Sequence, residues 1–100
     1  MAVDLEGPGS VAAAVGEPVT IHLAETPTTG YQWEVVEPHD GLAVDDSSFL
    51  PPASAAPGAG GRRSVTVHAL QPGTHRLLLQ QRRSWEPIAA QTCEVAVTAS

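Results

Sequence analysis

The sequence predicts an all-β protein, an immunoglobulin-like antiparallel β-sandwich of about seven strands. Three observations lead there. Apolar residues recur with period two in short runs, as Val19, Ile21 and Leu23 do against Thr20, His22 and Ala24, the spacing of a half-buried strand. Turn signals such as Gly16-Glu17-Pro18, Pro38-His39-Asp40-Gly41 and Gln71-Pro72-Gly73 cut the runs apart, because Gly and Pro interrupt regular structure. Helix signals are poor: the AAAV at 12–15 is too short to hold a helix alone.

Taken in order, the expected strands are 10–15, 18–25, 31–37, 42–49, 62–70, 74–83 and 91–99. The first is weak in pattern. The second carries Val19, Ile21 and Leu23 on one face. In the third, Tyr31, Trp33 and Val35 alternate with Gln32 and Glu34, and Trp33 suits the buried tryptophan of such sandwiches. The fourth is a weaker run that ends in Phe49. Val65, Val67 and Ala69 alternate in the fifth, Leu77 and Leu79 flank Leu78 in the sixth, and Cys93, Val95 and Val97 alternate in the seventh.

A chain of 100 residues is expected to form one domain, 1–100, with residues 1–8 a flexible N-terminal segment. One cysteine excludes an internal disulfide. No apolar run approaches the ~20 residues of a membrane span. The start MAVDLEGPGS carries no basic stretch followed by an apolar one, so no signal peptide is expected, and a cytoplasmic protein or a mature exported form both fit. The net charge of −6 argues against nucleic acid as a partner. A monomer is expected.

The charge is uneven: residues 1–50 hold nine of the eleven acids and no Arg or Lys, and residues 51–100 hold all five arginines. In an antiparallel sandwich each connection reverses the chain, so alternate connections share an end. That places 26–30, 50–61 and 84–90 together, and with them Arg62, Arg63, Arg82, Arg83 and Trp85. Trp and Arg are enriched at binding hot spots, so this end is expected to be a basic, aromatic-tipped binding surface.

Those three connections carry a family resemblance. Thr26-Pro27-Thr28-Thr29-Gly30-Tyr31 resembles the Asn-Pro-Thr-Thr-Gly-(Phe/Tyr) loop of the chagasin-like inhibitors of papain-family cysteine peptidases. Gly58-Ala59-Gly60-Gly61 matches that family's Gly-x-Gly-Gly loop, and Arg83-Ser84-Trp85 resembles its Arg-Pro-Trp loop. Each motif alone is weak, but the three agree in order and spacing, and the resemblance covers the whole chain. Thr26 stands where the family usually has Asn, and Ser84 where it has Pro.

The resemblance implies a reversible competitive inhibitor that binds a papain-like cysteine protease one to one. The 26–30 loop would enter the cleft over the catalytic thiol, with the other two loops clasping it on either side. Pro27 has a fixed φ, Gly30 permits positive φ, and a loop ordered before binding costs less entropy on binding. Thr28 and Thr29 would sit near the nucleophile and Trp85 against a wall of the cleft. Gly60 and Gly61 would let the backbone pair with an extended protease segment. The basic end would then favour an acidic cleft rim and salt-sensitive association.

The alternative is a non-inhibitory immunoglobulin-like binding module that uses the same loops. An enzyme has little to stand on. Cys93 faces inward and reads as a buried, unreactive thiol. His22, His39, His68 and His75 lack metal-ligand spacing and read as surface residues. No cofactor or metal is expected.

Overall fold

The computed structural model describes residues 3–25, 31–36, 41–50, 60–83, 85 and 89–100. They form eight strands: β1 (Val3–Glu6), β2 (Gly9–Ala13), β3 (Val19–Glu25), β4 (Tyr31–Val35), β5 (Leu42–Leu50), β6 (Gly61–Ala69), β7 (Gly73–Arg83) and β8 (Gln91–Ala99). Two four-stranded sheets result, in the orders β1-β3-β6-β5 and β2-β8-β7-β4. Inward residues of both sheets make one core, with Val19, Ile21, Val65, Val67, Leu77, Leu79, Val95 and Val97 fully buried. These are the period-two positions of β3, β6, β7 and β8, because every second side chain of a strand points to the same face. The all-β sandwich is the fold observed.

The structure departs from the sequence reading at the amino end and at one histidine. Val3–Glu6 is not a flexible segment but strand β1, which runs parallel to β3 with Val3 opposite Val19 and Glu6 opposite His22. Val3 and Leu5 pack against the core, so four residues with two apolar anchors suffice at an existing sheet edge. Gly7 at φ 71° and Gly9 at φ 151° turn the chain where a Cβ would be strained. Beyond them β2 joins the other sheet, parallel to β8. The remaining four pairings are antiparallel, as expected.

His75 is buried rather than on the surface. It shares the inward parity of Leu77 and Leu79, and its Nε2 donates to the Gln71 carbonyl at 2.8 Å. Gly41, at φ 63°, lies so close to the imidazole that a Cβ there would overlap it. His22 and His68 face outward as expected, each beside an aspartate: Asp4 at 3.1 Å and Asp45 at 2.8 Å. His39 lies outside the described residues.

Register fixes which connections share an end. Glu25 at the end of β3 faces Gly61 at the start of β6, and Leu50 at the end of β5 faces Arg62. In the second sheet, Tyr31 at the start of β4 faces Arg83 at the end of β7, and Gln81 faces Gln91 at the start of β8. The Trp33 indole donates from β4 to the Ala24 carbonyl of β3 at 2.9 Å, which joins the two sheets at that end. The segments 26–30, 51–60 and 84–90 therefore all depart from one end of the sandwich.

Candidate functional site

That end is built from strand termini whose side chains hold one another within each sheet, while Glu25 and Trp33 bond backbone groups across to the other sheet. β7 runs out at Arg83, whose guanidinium lies 4.3 Å from the centroid of the Tyr31 ring and 5.7 Å from that of the Trp85 ring. A cation over an aromatic face is attracted by the ring quadrupole, by about 0.5–1 kcal/mol at exposed sites. Arg83 thus links the root of the 26–30 segment to the 84–90 segment. Trp85 itself is 69% exposed, and Leu50, at the end of β5, is 63% exposed. Two large apolar side chains are thus left in water at this end.

On the first sheet the same end is tied more tightly. Glu25 is buried, and its Oε1 accepts the Trp33 backbone N–H at 2.8 Å. Arg63 donates to Oε1 from Nε at 3.3 Å and to Oε2 from Nη2 at 2.8 Å, a two-pronged pairing stronger than a neutral hydrogen bond. The Arg63 guanidinium also lies 5.7 Å from the Phe49 ring centroid. Phe49 in turn covers Gly61: an added Cβ there would overlap the ring and approach the Leu50 carbonyl oxygen to 2.5 Å. Gly61 therefore has a packing reason within the chain itself.

The expected site residues fall into two groups. Tyr31, Gly60, Gly61, Arg83 and Trp85 are described and share this end; Gly60 and Trp85 are exposed, the other three half-buried. Thr26, Pro27, Thr28, Thr29, Gly30, Gly58, Ala59 and Ser84 lie outside the described residues. Sequence reasoning missed Glu25, Phe49 and Leu50. For Glu25 the signal was present, since it continues the inward parity of Val19, Ile21 and Leu23.

The expected basic surface is corrected by the ion pairs. Arg62 lies 3.3 Å from Glu6, Arg63 2.8 Å from Glu25, and Arg82 2.6 Å from Glu34. Acids from the first half of the chain are thus drawn onto the arginines of the second, and the excess positive charge inferred from their positions is offset locally. Glu34 is held below the ordinary carboxylate range by hydrogen bonds from Arg82 and then Gln80. A depressed carboxyl stabilises the fold above its ordinary value, and that contribution disappears as pH falls through the lowered value. Glu34→Gln should then cost less than about 1 kcal/mol at neutral pH. The gap to wild type should shrink below about pH 4.3; acid melting curves at stepped pH check this, and a constant gap would contradict it.

Nucleophilic chemistry finds no support in Cys93. The thiol is buried, and burial pushes its pKa up, whereas reactive thiols are exposed and depressed. Native protein should label with a thiol reagent only as fast as it unfolds, and rapid stoichiometric labelling would contradict that. Among the described residues, no cluster of His, Cys, Asp and Glu could hold a metal ion.

Comparison with known proteins bears on this geometry. The family model described as Chagasin family peptidase inhibitor I42 matches residues 12–98. Chagasin of Trypanosoma cruzi is 33% identical over 81 residues, covering 76% of this chain and 74% of its own. The solution structure of amebosin is similar with a TM-score of 0.78 at 28% identity, covering 98% of this chain and 97% of that one. PbICP-C, solved in complex with falcipain-2, has a TM-score of 0.68 at 18% identity, covering 99% and 98%, a likeness of fold.

Proposed function

The chain belongs to the chagasin family of peptidase inhibitors, and on that premise we propose that it is a reversible, competitive inhibitor of papain-like cysteine proteases. It acts as a single domain and binds one to one. It is not an enzyme: members of this family block peptidases rather than perform the chemistry.

The observation that carries the reading is that all three motif-bearing connections depart from one end of the sandwich, beside the exposed Trp85. The 26–30 segment would enter the cleft, with Thr28 and Thr29 against the nucleophile and Pro27 and Gly30 shaping the tip. Thr26 and Tyr31 flank that tip. Trp85, with Arg83 and Ser84, would close one side, and Gly58, Ala59, Gly60 and Gly61 the other. A small, stiff tip blocks the thiol without offering a good scissile bond. The fold is compatible with such docking, since PbICP-C is seen on falcipain-2. An interface of about 800 Å² per partner is expected.

The test is steady-state inhibition of papain by wild type and by the Thr28→Ala/Thr29→Ala double variant. Competitive binding raises apparent KM and leaves kcat unchanged. The double variant should keep its melting temperature and lose most inhibition. A wild type that lowers kcat alone, or a double variant that inhibits as well as wild type, would overturn the wedge. A folded wild type with no effect on any papain-like protease would point to a binding module instead.

A further inference from the structure

We propose that Glu25 is a positioning residue whose buried carboxylate locks the roots of the 26–30 and 51–60 segments into one fixed geometry. The inference rests on the inhibitory reading for its consequence, but not for its structural content. Glu25 is the last residue of β3, where the chain leaves toward 26–30. Its Oε1 accepts the N–H of Trp33, the third residue of β4, after the chain returns. The exit and re-entry of that segment are thus bridged by one side chain, and the Trp33 indole adds a second bridge to Ala24.

The same carboxylate reaches the other segment. Arg63 is the third residue of β6, just after Gly60, and grips both carboxylate oxygens. Arg63 also lies over Phe49, the penultimate residue of β5, where the chain departs toward 51–60. A carboxylate this buried, 3% exposed, is costly unless paired and hydrogen-bonded. An apolar residue of the same parity would pack against the core without that cost. What the carboxylate supplies instead is direction. Two charge-assisted bonds to β6 and one to β4 admit few geometries, and they fix the strand ends from which both segments depart before any partner arrives. Ordering before binding is what raises affinity for a plug assembled from several loops.

Two substitutions separate positioning from general support. Glu25→Gln keeps an oxygen for the Trp33 N–H but turns a donor toward Arg63. Glu25→Ala removes both links. Two readouts are taken: the inhibition constant against papain, and backbone amide shifts of the free protein by NMR. Glu25→Gln should weaken inhibition at least about 10-fold and move the amides of 51–63 while those of 26–33 hold. Glu25→Ala should move both sets, with Leu70 and other far-end amides unmoved in either variant. Arg63→Lys, a gentler change, should reproduce the Glu25→Gln pattern if Glu25→Ala does not fold. The proposal is overturned if the folded variants inhibit within twofold of wild type, or if no substitution moves the amides of 51–63. A wild type that does not inhibit papain-like proteases is failure of the inhibitory reading, and the amide shifts then decide the positioning alone.

Discussion

Trp85→Ala is expected to weaken inhibition of a papain-like protease by about 100-fold while the fold survives. Buried aromatic anchors at interface centres commonly cost 2 kcal/mol or more when truncated, and about 2.8 kcal/mol is 100-fold. The free protein leaves Trp85 69% exposed, so truncation opens no cavity. The loss within the chain is the contact with Arg83, 5.7 Å from the ring centroid, about 0.5–1 kcal/mol. Stability and affinity should therefore separate: a small change in Tm beside a large change in inhibition constant, most of it in dissociation rate. Equal inhibition by the variant would mean that the indole does not touch the target. A collapse of Tm would mean that it serves the fold.

The second large effect is expected at Gly61. Gly61→Ala should destabilise the chain by about 1–3 kcal/mol, the usual cost of forcing an extra group into a packed site. Both obstacles are firm: the Phe49 ring, and the Leu50 carbonyl oxygen at 2.5 Å from an added Cβ. A melting curve should show Tm falling by about 4–8 °C per kcal/mol. Because Phe49 also lies under Arg63, the disturbance should reach the root of 51–60, and inhibition should weaken with it. An unchanged Tm would remove the packing reason for this glycine and leave only its role in contacting a partner.

These two residues show what can be read from a sequence and what cannot. Trp85 was legible because a large aromatic beside a short connection has few places to hide. The strands with clean alternation were legible for the same kind of reason: Val19, Ile21 and Leu23, or Cys93, Val95 and Val97, admit one inward face. His75 and Glu25 carried the same inward parity, but their polarity masked it, and their burial depends on partners found only in space. β1 was missed because Val3 and Leu5 alternate over just four residues, and an edge strand that short gains its stability from a sheet already formed. The parity of the connections did place the three motif segments at one end. It did not place the acids, because Glu25 meets Arg63, and Glu34 meets Arg82, only across paired strands. A basic surface was expected where the fold builds neutral pairs. Gly61 was read as freedom for a partner's backbone, while Phe49, twelve positions earlier, gives it a reason inside the chain.

The most direct test of the central claim is an active-site titration. The pure protein is added in steps to a known concentration of papain, at a protease concentration well above the expected inhibition constant, with a fluorogenic peptide reporting residual activity. A one-to-one plug predicts a linear loss of activity to an end-point at one equivalent, full recovery on dilution, and an intact inhibitor chain by mass spectrometry. Undiminished activity at a many-fold excess, or a chain cleaved as the activity returns, would contradict the account.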